Sequence, residues 1–279
     1  MRSAAHGAPP GALVEAVPAL SLGARARAYL RTVAAMADAE RHRVRREPSV
    51  LLARVAQPLL WLLVFGAAVS RVPGLGSEGV PYKAFLVPGV LAQSVLFVAI
   101  FSGLGIIWER DLGITQRLLV APVARSAIIT GKSVSAAMRA VVQVCLVLVV
   151  VAAAGIPLRW SVGSVLGSLA AVGLGATLLS AVSMVIASAV RTREQFMGLG
   201  QLVTLPLLFA SNALYSISVM PGWMQAVARA NPLTYLVEIL RRLLVGVGPN
   251  RLGPDAAVLV LGTVLAIAVA SRTFPKRVA

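Results

Sequence analysis

Charge is the scarcest commodity in this chain of 279 residues. Only 13% of the residues are Asp, Glu, Lys or Arg, about half of what soluble domains carry. With 58% apolar residues arranged in long runs, such a chain cannot cover a soluble surface and falls in the membrane class. Acidic residues are scarcer still, ten against 26 basic ones, and none lies in the middle of an apolar run. Nor do the two histidines, His6 and His42. A bare charge at the bilayer centre costs roughly 2.5–3.5 kcal/mol on insertion scales, so ion-coupled carriers keep one there only for use. Its absence argues against ion coupling. The sequence has no cluster with metal-ligand spacing and no paired nucleophile and base, which argues against a membrane enzyme. A single cysteine, Cys145, excludes an internal disulfide, and its apolar setting suits packing. Aromatics make up 5% and do not interleave with a basic patch, so the net charge of +16 does not read as nucleic-acid binding. Arginines flanking spans and facing anionic lipid account for it better.

What is present is a succession of apolar runs. Residues 1–20, rich in Ala, Pro and Gly, read as a flexible start without a credible secretory signal. Over 21–48, Arg25, Arg27, Arg31, Arg41, Arg43, Arg45 and Arg46 alternate with an apolar face of Leu22, Tyr29, Val33 and Met36. This predicts an amphipathic helix on the cytoplasmic membrane surface. Pro48 ends it. From 49 to 279 the pattern predicts an all-α polytopic domain of six spans, about 50–69, 84–108, 134–154, 162–190, 196–219 and 256–271. The segment 220–254 is mixed, with apolar pieces too short to span, and reads as interfacial or re-entrant helices. Gly163-x-x-x-Gly167 and Gly173-x-Gly175 suit close packing of a neighbouring helix inside the chain.

Six spans put both termini on one side. With that side cytoplasmic, seventeen of the 26 Lys and Arg lie in cytoplasmic segments and seven outside, leaving Arg54 and Arg139 in span ends. The positive-inside rule therefore makes both termini and the stretch 108–132 cytoplasmic. That stretch, WERDLGITQRLLVAPVARSAIITGK, is longer and more polar than a turn requires, and it reads as a docking surface. Ile114, Leu118 and Ala121 share a side of a short helix that Pro122 ends, with Gln116 opposite. A short apolar face with charged flanks suits a partner's groove. Asp111 and Gly113 are expected at the start of that helix, where an acidic side chain favours the dipole. Gly131-Lys132-Ser133 matches only the tail of a phosphate-binding loop. Position 126 is Ser where the pattern needs Gly, so the chain is expected to bind no nucleotide.

The same stretch resembles the permease subunits of ABC-2 type exporters, closest to the drug-resistance branch typified by daunorubicin exporters. The resemblance rests on Glu109-Arg110-Asp111-Leu112-Gly113, on Leu118-Leu119-Val120-Ala121-Pro122 and on Gly131-Lys132. It extends to Asn231-Pro232-Leu233-Thr234-Tyr235 with Glu238 and Arg241, in the extracytoplasmic segment before the last span. Many members have Thr and Glu where this chain has Ile114 and Gln116. The resemblance implies a six-helix permease of the cell membrane that pairs with a second permease subunit, the same chain or a related one. It implies two copies of a separate ABC ATPase, which bind ATP and Mg, docked on 109–132. It implies outward transport of a hydrophobic or amphipathic compound such as a drug or lipid. A non-transporting membrane scaffold of a lipid- or envelope-modifying complex is the alternative.

Overall fold

A computed structural model describes residues 22–69, 79–114 and 124–277. Every regular element among them is helical. Helix α1 (Leu22–Arg46) precedes α2 (Pro48–Leu60), which opens on Pro48, where a missing N–H is harmless. Inside α2, Pro58 cannot donate to the carbonyl of Arg54. Gln143 from another helix supplies the donor instead, at 3.4 Å. A π-helical turn, Trp61–Phe65, follows and leads into α3 (Gly66–Val69).

Four helices have the length and apolarity to cross a membrane: α4 (Tyr82–Asp111), α5 (Arg125–Ala153), α6 (Val162–Ala189) and the first 22 residues of α10 (Leu252–Arg277). At 1.5 Å per residue the 28 to 30 residues of α4, α5 and α6 extend about 42–45 Å, beyond a hydrocarbon core of about 30 Å. Helix α4 is apolar around its whole circumference and is the most enclosed of the four, while α10 leaves one side bare. Helix α6 packs against α4, α5 and α10.

Small residues make these contacts possible. A methyl group at Gly89 would overlap the backbone of Ala213, and one at Gly103 would meet Ser183 and Phe196. Gly167 and Gly175 of α6 face Leu243 and Leu236 of α9 (Pro232–Leu244), a helix of the same chain, whereas Gly163 faces open space and Gly173 only touches Val141.

Several expected boundaries move. The second span runs to Asp111, a turn further than expected, so Glu109, Arg110 and Asp111 are helical. Asp111 ends α4 instead of starting a loop helix. The chain then turns at Leu112 and Gly113, whose φ of 70° suits glycine. The third span begins at Arg125, so Gly131 and Lys132 lie within α5 and do not close a loop. The fifth expected span, 196–219, is α7 (Arg193–Phe209), only 17 residues or about 25 Å long. It stops because Ala210–Tyr215 fold back on α4, with Ala213 against Gly89. The amide of Asn231 satisfies the freed carbonyls of Leu207 and Ala210, at 2.7 and 2.9 Å. The apolar stretch Leu52–Ala68, also 17 residues long, is likewise shorter than a bilayer needs.

The segment 220–254 holds two helices, α8 (Gly222–Ala230) and α9, and α9 packs on α4, α6 and α10. Helix α1 spends its inner face on protein: Tyr29 bonds Thr130 at 2.6 Å, and Met36 fills the space left by Gly131. The expected flexible start, 1–20, lies outside the described residues.

Candidate functional site

The polar residues gather at the two ends of the bundle. One end is built from the last turn of α4, the first turns of α5 and α7, and the ends of α6 and α10. There Lys132 of α5 pairs with Glu109 of α4. This closes the 109–132 stretch at its base across two helices. Arg110 donates to the carbonyls of Val190 and Arg191 at 3.0 and 2.6 Å, capping the end of α6. Asp111 accepts from Arg193 of α7 at 2.9 Å. The guanidinium of Arg193 also lies 5.8 Å from the ring of Trp108. Helix α7 is held there by its own start: Thr192 accepts from the Gln195 amide, and the Gln195 side chain accepts from the Arg191 amide.

Among the expected coupling residues, Glu109, Arg110, Asp111, Gly113, Gly131 and Lys132 are thus brought to one end. Gly131 makes no polar contact; its missing side chain admits Met36 of α1. Leu118 and Pro122 lie outside the described residues. The Gly131-Lys132-Ser133 run is helical, inside α5.

Three residues at this end escaped the sequence reading. Arg139 of α5 pairs with Glu40 of α1 at 2.6 Å, and Glu40 is the acidic residue of α1 that is buried, at 7% exposure. Arg54 of α2 sits 5.4 Å from the centre of the Phe101 ring. The signal was present as one acidic residue in an arginine-rich helix and two arginines inside apolar runs. Only the packing of α1 on α5 joins them. Glu40, Arg54, Phe101, Trp108, Glu109 and Lys132 line a cavity of about 590 Å³ between α1, α2, α4 and α5.

The other end is held differently. Asn231 caps α9 by accepting from the Leu233 amide at 2.9 Å, and Pro232 takes the first helical position. Tyr235 donates to the carbonyl of Arg229 at 2.6 Å. Arg241, 3% exposed, donates to the Asn212 carbonyl at 2.5 Å and lies flat over Phe85, 3.8 Å from its centre. Tyr82 donates to the Leu214 carbonyl at 2.9 Å. Burial and the neighbouring Asp255 push the Glu238 carboxyl above its ordinary value. Among the described residues no group of carboxylate, His or Cys side chains could hold a metal ion.

The sequence matches the ABC-2 type transporter family over residues 31–245, and the chain belongs to that family. Its relatives include the transport permease ycf38 of Pyropia yezoensis, 32% identical over 209 residues, covering 74% of this chain and 71% of the relative. Daunorubicin resistance ABC transporter permease protein DrrB1 of Streptomyces coeruleorubidus is 27% identical over 202 residues, 71% of this chain and 70% of that protein. Nodulation protein J of Rhizobium leguminosarum bv. trifolii is 28% identical over 198 residues, 70% and 74% of the two chains. The chain is therefore a membrane-embedded transport component and is not itself the catalytic subunit.

Proposed function

We propose that the chain is the membrane half of an ATP-driven exporter. It works as a pair of permease subunits, with an ABC ATPase docked on each 109–132 stretch. The ATPase binds the ATP and Mg; this chain moves a hydrophobic or amphipathic compound outward across the cell membrane. Leu52–Ala68 and α7 complete six crossings where the bilayer thins around them, and both termini are cytoplasmic. The charge asymmetry supports that orientation.

One observation carries the reading. The base of the 109–132 stretch is tied to three other helices by separate polar links: Glu109 to Lys132 of α5, Arg110 to the end of α6, Asp111 to Arg193 of α7. A push on the stretch is passed to α4, α5, α6 and α7 together, as a coupling element requires. The relatives' names, from daunorubicin resistance to nodulation, are consistent with one machine serving different cargoes.

The test uses vesicles containing the chain and the ATPase that co-purifies with it. Glu109→Ala is expected to leave insertion intact and to lower transport and coupled ATP turnover at least about tenfold, about 1.4 kcal/mol of coupling. Val149→Ala, on an exposed part of α5, is the control and should change neither. Full transport by both Glu109→Ala and Leu118→Asp would remove the coupling role. Absence of any co-purifying ATPase would favour the scaffold reading.

A further inference from the structure

Helices α1 and α10 both pack on α5 and leave a groove between them, about 520 Å³ in volume, at the end of the bundle that carries the 109–132 stretch. Its chemistry is divided along its length. The mouth holds Arg272 and the hydroxyls of Ser126 and Thr130. Arg272 has no ion-pair partner among the described residues, and no carboxylate lines the groove. The Thr130 and Tyr29 hydroxyls bond each other at 2.6 Å, which leaves one of the two O–H groups free to donate outward. The floor is apolar, with Val264 and Ile267. It runs on down α10 over Leu261 and Leu265, which are 69% and 66% exposed within the apolar span Leu252–Thr273.

We propose that this groove is a binding site for one anionic phospholipid. The phosphate meets Arg272 and the hydroxyls; an acyl chain follows Val264 toward Leu261. Charge complementarity selects the anionic headgroup, and the continuous apolar floor selects a lipid over a free phosphate, which would use the mouth alone. The seated lipid touches α1, α5 and α10 at once. It bridges α1 to α10, which both pack on α5. The proposal stands apart from the transported compound and from the docking of an ATPase.

The test measures the unfolding temperature of the delipidated, full-length protein in detergent on titration with phosphatidylglycerol, phosphatidylcholine or inorganic phosphate. Native mass spectrometry counts the retained lipid. Phosphatidylglycerol is expected to raise the unfolding temperature with one lipid retained per chain, and the other two ligands to leave it unchanged. Arg272→Gln, at an exposed position, should weaken phosphatidylglycerol about fivefold, the effect of one basic residue at a membrane surface. Val264→Trp keeps the charge and fills the floor, and should weaken it likewise. Arg25→Gln, an exposed arginine of α1 outside the groove, should not. An equal response to phosphatidylcholine or to inorganic phosphate overturns the proposal. So does an equal loss with Arg25→Gln, which would indicate bulk charge attraction. Unweakened binding by both groove variants also overturns it.

Discussion

At the end bearing 109–132, three cations are answered by carboxylates on other helices: Lys132 by Glu109, Arg193 by Asp111, Arg139 by Glu40, while Arg110 caps α6 through backbone carbonyls. At the opposite end, donors are answered by backbone carbonyls: Arg241 by Asn212, Asn231 by Leu207 and Ala210, Tyr82 by Leu214. The two kinds of link respond differently to motion. Coulomb attraction falls off slowly with distance, so an ion pair can stretch and re-form as helices shift. A hydrogen bond to a carbonyl weakens steeply once its angle is lost. The carbonyls of Ala210, Asn212 and Leu214 belong to the irregular turn 210–216, whose buried backbone needs partners away from water. One end is built to tolerate displacement, and the other to hold a buried turn in place.

The largest expected effect strikes the rigid end. Arg241→Met leaves the Asn212 carbonyl without its donor and uncovers Phe85. It should cost about 3 kcal/mol of stability, read from reversible unfolding in mixed micelles. Arg241→Lys should not rescue it, because an ammonium cannot lie flat on the ring while reaching the carbonyl. A loss below about 1 kcal/mol would show that the turn is held by packing alone.

A smaller effect is expected at the ion-paired end. Glu109→Gln and Lys132→Met, each alone, should cost no more than about 1 kcal/mol, because the pair is part-exposed and water replaces the lost partner. A double-mutant cycle in the same unfolding assay should return a coupling of about 0.5 kcal/mol or more. Costs matching that of Arg241→Met would erase the distinction between the ends.

The smallest effect concerns pH. A carboxyl raised by folding binds more protons folded than unfolded. Glu238 therefore makes stability fall as pH rises above about 4.5, through its raised value. Glu238→Gln should flatten that slope and raise the unfolding temperature at neutral pH. An unchanged slope between about pH 4.5 and 7.5 would show that Glu238 is as hydrated folded as unfolded.

Much of the fold is legible in the sequence because apolar run length is a strong signal. The spans of α4, α5, α6 and α10 lie where the runs lie. The motif at 109–113 falls at the end of α4, and the mixed segment 220–254, read as short helices, holds α8 and α9. Other features are not legible. The run 196–219 is apolar enough to span, and nothing local says that it stops at Phe209. The stop depends on Gly89, Asn231 and Arg241, which are distant in sequence. The helicity of Gly131 and Lys132 is not legible because a polar run looks like a loop, whereas α5 extends about two turns beyond its apolar part. Glu40 and Arg139 are 99 positions apart, and a helical periodicity reading cannot pair them.

Composition and the length of the apolar runs determined that this is a membrane protein and that its helices are long. Each of these follows from the sum over residues of the cost of moving side chains out of water, which needs no partner to evaluate. Tertiary structure decided which charges are partnered, where the fifth helix ends, and that α1 gives its inner face to α5. Those outcomes depend on which groups can reach one another across helices. A buried polar group is settled by its neighbour in space, and its neighbours in sequence do not name it.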